Sequence, residues 1–79
     1  MSNEEKFAQV FCTSFEITTD KLKGLKYQDI PGWDSVGHMA LIAAIEEAFD
    51  IMMETEDIVD FSSYENGMNI LKEKYNVQF

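Results

Sequence analysis

The segment that decides the fold is residues 31–50, PGWDSVGHMALIAAIEEAFD. Pro31 and Gly32 interrupt any preceding helix, and Asp34 offers an acidic N-terminal cap that also suits the positive end of a helix dipole. The pattern therefore predicts a helix over residues 35–50. Its inward stripe is expected to consist of the apolar side chains at helical spacing, namely Leu41, Ile42, Ile45, Ala48 and Phe49.

A second amphipathic helix is predicted before this one, over residues 4–15. Its apolar side chains recur at the spacing of one helical face, as Phe7, Val10, Phe11 and Phe15. Ser2 or Asn3 can cap its start, because both side chains accept hydrogen bonds from first-turn N–H groups.

The C-terminal part of the chain predicts two more helices. Thr55 can cap a short one over residues 56–60. Ser62, followed three residues later by Glu65, is a capping-box signature for a last helix that runs to about Tyr75. The apolar face of that helix is expected to hold Met68, Leu71 and Tyr75, with Tyr64 and Ile70 beside it.

The connection over residues 16–33 is long, but it does not read as a disordered linker. It contains too many large apolar side chains to leave in water: Ile17, Leu22, Leu25, Tyr27, Ile30 and Trp33. We therefore expect a loop that its own side chains hold against the core, with Trp33 as a packing anchor. The whole chain, residues 1–79, is predicted to be one all-α domain: a small four-helix bundle, with three main helices and one short helix, and a long first loop.

The charge of the chain is negative and unevenly distributed. The sequence has fifteen acidic residues and six lysines, for a net charge of −9, and eight of the acids lie between residues 34 and 60, where there is no Lys or Arg. Binding to nucleic acid is not expected, because phosphate recognition needs basic side chains. The negative electrostatic field of such a chain favours partners with basic surfaces.

Size and composition exclude several other classes. A domain of 79 residues has little room for a deep catalytic cleft. The single Cys12 cannot form an internal disulfide and fits a reducing compartment, the N-terminus lacks the pattern of a secretory signal, and the longest apolar stretch, residues 39–45, is too short to cross a bilayer. The expectation is a cytoplasmic protein with no membrane segment and no metal site.

Ser35 is the residue best placed for chemistry. It stands at the first position of the predicted central helix, where unpaired N–H groups and the helix dipole stabilise an anion. Asp34 and Ser35 could serve only as a helix start. A hydrolase nucleophile is disfavoured, because the only histidine, His38, follows on the same helix and no Gly-x-Ser-x-Gly elbow is present.

At Asp34-Ser35-Val36 the chain resembles the acyl carrier protein family, whose signature is Asp-Ser-Leu. The resemblance extends through Glu46-Glu47-x-Phe49-Asp50, the short third helix and the last amphipathic helix, and so covers nearly the whole chain. It implies a carrier and not an enzyme. A phosphopantetheinyl transferase would attach 4′-phosphopantetheine from coenzyme A to Ser35 and would dock with the help of Asp34. Acyl groups would then be carried as thioesters in lipid, polysaccharide or related biosynthesis.

One face of the central helix is a predicted docking surface for the transferase and for acyl-loading and acyl-transfer enzymes with basic grooves. Its residues repeat at steps of three and four and differ from the inward stripe: Val36, Ala40, Ala43, Glu47 and Asp50. These residues are called the docking face below. The carrier itself is expected to act as a monomer.

Three residues depart from the family pattern. Val36 replaces the usual leucine, Gly37 is locally unfavourable in a first helical turn, and His38 is expected to be a partly exposed histidine that could touch the arm or a partner. Two alternatives stay open. One is a D-alanyl or aminoacyl/peptidyl carrier, which shares the bundle and the modified serine, and the other is an acidic helical adaptor that is never modified.

Overall fold

A computed structural model describes residues 2–79. Four helices follow one another: α1 (Asn3–Phe15), α2 (Ser35–Phe49), α3 (Thr55–Asp60) and α4 (Tyr64–Lys74), with one 3₁₀ turn (Thr19–Lys21) in the first loop. No strand is formed within these residues. The predicted all-α bundle of three main helices and one short helix is therefore confirmed.

The ends of α1 and α2 follow the predicted local chemistry. At α1 the Ser2 hydroxyl accepts the N–H of Glu5, and the Glu5 carboxylate accepts the N–H of Ser2 in return. Helix α2 begins at Ser35, as predicted, and ends at Phe49, one residue earlier than expected. It ends there because Asp50 adopts the left-handed conformation, with a φ of 54°.

The predicted starts of α3 and α4 are each wrong by one residue. Helix α3 includes Thr55, because the N–H of Ile58 bonds to the carbonyl of Glu54 and makes Glu54 the cap position. At α4 the cap is Ser63, whose hydroxyl accepts the N–H of Asn66, and not Ser62.

The capping box predicted at Ser62 does not form because its members have other partners. The Ser62 carbonyl accepts the N–H of Tyr27 at 2.9 Å, which ties residue 62 to the first loop. The Glu65 carboxylate accepts the N–H of Gly24 at 3.2 Å instead of reaching back to the helix start. Hydrogen bonds to the first loop thus take the place of the predicted capping box.

Aromatic side chains fill the centre of the bundle. Phe11 lies 5.4 Å from Trp33 and 6.1 Å from Phe61 between ring centroids, and Phe7 lies 5.1 Å from Phe11. The predicted α2 stripe faces this centre: Leu41, Ile42 and Ile45 are buried, and Ala48 and Phe49 are half-buried. Of the face predicted for the last helix, Leu71 is buried and the other residues are half-buried, and Tyr75 stands at the C-cap of α4.

Gly67 lets α4 approach this aromatic centre. A Cβ atom at residue 67 would lie 2.5 and 2.6 Å from the two Cε atoms of Phe61, a ring that is only 1% exposed. Glycine costs helix stability, but here any side chain would collide with a ring that has no free space to enter.

The first loop is pinned to the bundle as predicted. Leu22, Leu25 and Trp33 are buried, and the remaining large apolar side chains of the loop are half-buried. The Leu25 carbonyl accepts the N–H of Tyr64 at 2.9 Å, so the loop also pairs with the start of α4. These contacts fix the position of residue 33 and hence of the start of α2. No helix within residues 2–79 has the length and apolar character needed to cross a membrane.

Candidate functional site

The site is built where the first loop meets α2, over residues 32–38, a segment called the loop–α2 junction below. Asp34 has an extended backbone, and its Oδ1 accepts the N–H of Gly37 at 2.8 Å, while its carbonyl accepts the N–H of His38 at 2.7 Å. The predicted cap is confirmed. The N–H groups of Ser35 and Val36 precede these bonds and have no partner within the helix.

Ser35 occupies the first position of α2 and is exposed. Its hydroxyl therefore stands at the positive end of a helix of 15 residues, beside two unpaired N–H groups. A phosphate ester at this oxygen would be stabilised by the helix dipole and by the two unpaired N–H groups. Access from outside is open, as an attachment point for another protein's active site requires.

Gly37 permits a close crossing of the loop over the first turn of α2. A Cβ atom at residue 37 would overlap the carbonyl oxygen of Gly32 and lie 3.3 Å from Asp34 Oδ1. From the sequence alone, Gly37 is only a residue that is unfavourable in the first turn of a helix. The structure shows that the crossing requires it, because no other residue leaves room for the Gly32 carbonyl.

His38 is half-buried, as expected, and has a structural task that the sequence did not reveal. The indole N–H of Trp33 donates to Nδ1 of His38 at 2.9 Å, and Nε2 of His38 lies 2.8 Å from the carbonyl oxygen of Ile58. An indole N–H only donates, so Nδ1 carries no proton and the ring is neutral, with its proton on Nε2. The Ile58 carbonyl belongs to the last turn of α3 and has no helical partner there.

Because both nitrogens of His38 have partners, neither is left to accept a proton from Ser35. The nucleophile–base pair that a serine hydrolase needs is absent from this arrangement of residues 35 and 38. His38 instead connects the loop–α2 junction to α3.

An apolar groove of about 370 Å³ opens beside Ser35, between the start of α2 and α3. Its lining surface is mostly apolar and is formed by Tyr27, Ser35, His38, Met39, Ile58, Val59, Phe61 and Ser62. Among the lining residues, Met39 and Val59 are 55% and 74% exposed, respectively, so the groove presents apolar side chains that another molecule can cover. Nothing in the local sequence pattern indicated this groove.

The docking face is exposed along its whole length, as predicted. Val36 is 78% exposed, and Ala40, Ala43, Glu47 and Asp50 are also open to solvent. Glu46, next to this face, is turned away, because its Oε2 accepts the N–H of Met53 at 2.8 Å and holds the α2–α3 connection. The face therefore offers small apolar groups near Ser35 and two carboxylates at its far end.

A second polar cluster lies where α3 meets the end of α4. Asp57, which is only 5% exposed, accepts hydrogen bonds from the Lys74 ammonium at 2.7 Å and from the Tyr75 hydroxyl. The Tyr75 oxygen in turn accepts the N–H of Glu54 at 2.9 Å. Residues 54–57 with residues 74 and 75 are called the α3–α4 junction below.

The bond from Lys74, and after it the bond from Tyr75, lowers the pKa of Asp57 below its ordinary value of 3.8. Asp57 is thus a structural carboxylate. No local pattern indicates this cluster, because Lys74 and Tyr75 lie 17 and 18 residues from Asp57 along the chain.

Other reactive side chains contribute nothing to the site. Cys12 is half-buried on α1, and burial raises the pKa of its thiol, which is the opposite of activation. Within residues 2–79 no three side chains of His, Cys, Asp or Glu are grouped so that they could hold a metal ion.

Comparison of the chain with protein-family models and with curated proteins finds no match. The functional argument therefore depends on the residues around Ser35 and on their geometry.

Proposed function

We propose that this protein is a carrier that bears 4′-phosphopantetheine on Ser35 and presents acyl groups to partner enzymes. The observation that supports it most directly is the setting of Ser35. The hydroxyl is exposed at the start of α2, next to an apolar groove, and the neighbouring histidine is bound elsewhere. Such a serine suits modification by another enzyme better than catalysis of its own.

The residues around Ser35 fit the proposed arm. The free N–H groups at the start of α2 would hold the phosphate oxygens, and the groove would take the apolar part of the cargo. When attached, the arm supplies a terminal thiol on which an acyl group is carried as a thioester. The protein itself contributes a fixed attachment point and a surface, and so it is proposed as a carrier and not as an enzyme.

The proposed partners are a phosphopantetheinyl transferase and acyl-loading or acyl-transfer enzymes with basic surfaces. Five exposed acids support this choice: Glu47, Asp50, Glu54, Glu56 and Asp60. Basic grooves would be attracted quickly and in a salt-dependent way, while Val36 provides an apolar contact beside the attachment point. A reducing compartment such as the cytoplasm suits the free Cys12.

Intact mass after co-expression with a promiscuous phosphopantetheinyl transferase tests the proposal. The expected result is a gain equal to one phosphopantetheine, which Ser35→Ala abolishes. Ser62→Ala is the matched control, because Ser62 lines the same groove and is also exposed, and it should leave the gain intact.

An unmodified mass would favour the acidic adaptor, and a gain that survives Ser35→Ala would contradict the assignment of the site. If Ser35 is modified, the cargo found on the protein from its own cell separates an acyl carrier from a D-alanyl or aminoacyl/peptidyl carrier. An amino acid on the thiol would identify a D-alanyl or aminoacyl/peptidyl carrier.

A further inference from the structure

His38 is the single histidine of the chain, and its ring joins three parts of the molecule. On one side, Nδ1 accepts the indole N–H of Trp33 from the first loop at 2.9 Å. On the other side, Nε2 lies 2.8 Å from the carbonyl oxygen of Ile58 in α3. His38 itself belongs to α2, one turn after Ser35. The ring therefore connects the first loop and α3 to the helix that begins at Ser35.

Only the neutral ring can make both bonds. An indole N–H always donates, so Nδ1 must offer it a lone pair, and a carbonyl oxygen only accepts, so the proton of the ring stands on Nε2. A second proton on Nδ1 would place two N–H groups against each other and break the bond to Trp33. The bond to Ile58 would persist, because a charged ring still donates from Nε2.

The bond that a proton breaks has no replacement. Trp33 is fully buried, and within residues 2–79 its indole N–H has no acceptor besides Nδ1 of His38. A buried donor without an acceptor destabilises the folded chain. Histidine in an unfolded chain takes up a proton below a pH of about 6.5. Proton uptake by His38 therefore opposes folding, and stability is lost as the pH falls through this range.

No charged side chain bonds to the His38 ring. The rings that pack against it are Tyr27 and Trp33 of the first loop and Phe61 after α3, and a phenol such as that of Tyr27 is uncharged near neutral pH. The carboxylates on the same elements have other partners or lie open to solvent, where salt screens them: Asp29, Asp34, Glu54, Glu56, Asp57 and Asp60. Within residues 2–79 none of them forms an ion pair with His38.

We infer that His38 is an acid-sensitive tie, in which uptake of one proton releases the first loop from α2 and α3 beside Ser35. The apolar groove lies between the elements that this tie joins, since Tyr27, Ser35 and Ile58 all line it. Mild acid thus loosens the surroundings of Ser35 while the bundle stays folded. The tie works whether or not Ser35 carries a group.

Two NMR signals report on the tie without ambiguity, because the chain has one histidine and one tryptophan. In isotope-labelled protein of unaltered sequence, both are followed from about pH 7.5 to about pH 5.5, on either side of the ordinary value for histidine. The indole N–H signal of Trp33 should shift and exchange faster with solvent, with the same midpoint as the imidazole signals.

Two results of this titration would overturn the inference. One is an imidazole that becomes charged while the indole N–H signal keeps its position and its exchange rate, because the bond would then not depend on the proton. The other is an imidazole that stays neutral at about pH 5.5, because the tie would then not open in the folded protein.

His38→Gln separates the proton from the hydrogen bonds. Glutamine offers a carbonyl oxygen to Trp33 and an amide N–H to Ile58, but it takes up no proton. Both proteins have the same carboxylates, so acid relieves the same charge repulsion in each. Between about pH 7.5 and about pH 5.5, the Tm of the unaltered protein should fall by about 2–6 °C relative to that of His38→Gln. An equal change of Tm in the two proteins contradicts the tie.

Tyr75→Phe is the matched control, because it loses hydrogen bonds on the other side of α3 and keeps His38. Its Tm should follow the pH as that of the unaltered protein does. A Tyr75→Phe variant that follows His38→Gln instead would assign the pH dependence to the α3–α4 junction and overturn the inference. If His38→Gln fails to fold, the NMR titration of the unaltered protein decides alone. Every measurement uses protein with a free Ser35, so a failure of the transferase to modify Ser35 refutes only the proposed function.

Discussion

Helix α3 is attached to the rest of the bundle on two sides, and the two attachments differ in kind. At the loop–α2 junction the link is uncharged: Trp33 donates to His38, and His38 lies against the Ile58 carbonyl. At the α3–α4 junction the link is ionic, between the nearly buried Asp57 and Lys74, whose side chain is 51% exposed.

The difference separates the part of the molecule that positions Ser35 from the part that only closes the bundle. Salt should weaken the uncharged link little, because it contains no ion pair to screen. The ionic link weakens when the Asp57 carboxylate is protonated. Protonation of Asp57 should therefore loosen α3 on its α4 side. The variants below test this comparison in order of expected effect.

The largest effect is expected from Gly37→Ala, at the base of the loop–α2 junction. Alanine would gain about 1 kcal/mol of helix propensity, but its Cβ overlaps a backbone atom, the Gly32 carbonyl oxygen, and relief of this overlap should cost about 3 kcal/mol or more, for a net loss of at least about 2 kcal/mol. Chemical denaturation measures it. Gly32→Ala is the matched control and should have little effect, because its Cβ would meet only Phe15 at an ordinary 3.5 Å. A stabilised Gly37→Ala variant would show that the loop does not cross here.

His38→Ala should lower the free energy of unfolding by about 2 kcal/mol, because it leaves the fully buried Trp33 N–H without an acceptor. The indole N–H signal of Trp33 in the NMR spectrum should shift and exchange faster with solvent. Tyr75→Phe, which removes one donor from the other junction, should leave that signal in place. An unchanged indole signal in His38→Ala would contradict the uncharged link.

Asp57→Asn should cost about 1–2 kcal/mol at neutral pH, because it removes the charge that accepts the bonds from Lys74 and Tyr75. The lowered pKa of Asp57 sets the direction of the pH dependence. Its stabilisation is complete above the ordinary value of 3.8 and is lost as the pH falls below 3.8 toward the lower pKa of the folded state.

Denaturation of both proteins at several pH values checks this dependence. The difference in stability between the unaltered protein and Asp57→Asn should shrink through that acidic window. A difference that stays constant down to the lowest pH would mean that the Asp57 charge does not hold the junction.

The smallest effect on stability, and the most specific one on function, is expected at Asp34. Asn caps a helix about as well as Asp, so Asp34→Asn should change stability by only a few tenths of a kcal/mol, whereas Asp34→Ala should cost about 1 kcal/mol. If the Asp34 charge helps to dock the transferase, both variants should be modified more slowly. A normal rate in Asp34→Asn would assign to Asp34 the role of a cap alone.

The two junctions also differ in how much of each the sequence predicted. At the loop–α2 junction the Asp34 cap, the exposed Ser35 and the anchoring Trp33 all followed from residues within one short segment. The role of His38 was missed, because its second partner lies 20 residues away in α3. At the α3–α4 junction the sequence predicts a helix start near Thr55 and Tyr75 on the apolar face of the last helix, but not the bonds of Asp57 to Lys74 and Tyr75. Outside both junctions, the predicted cap at Ser62 is wrong, because the first loop pairs with that residue.

What the sequence determined by itself is local: four helices, their apolar faces, a capped helix start at Ser35 and an exposed face of α2 with carboxylates at its far end. Such features depend on propensity and periodicity, which act over a few residues. Only the tertiary structure decided the bonds of His38, the glycine required at residue 37, the Asp57 cluster and the apolar groove beside Ser35. Each of these depends on chain crossings or on distant partners brought together by packing, and local periodicity does not encode such contacts.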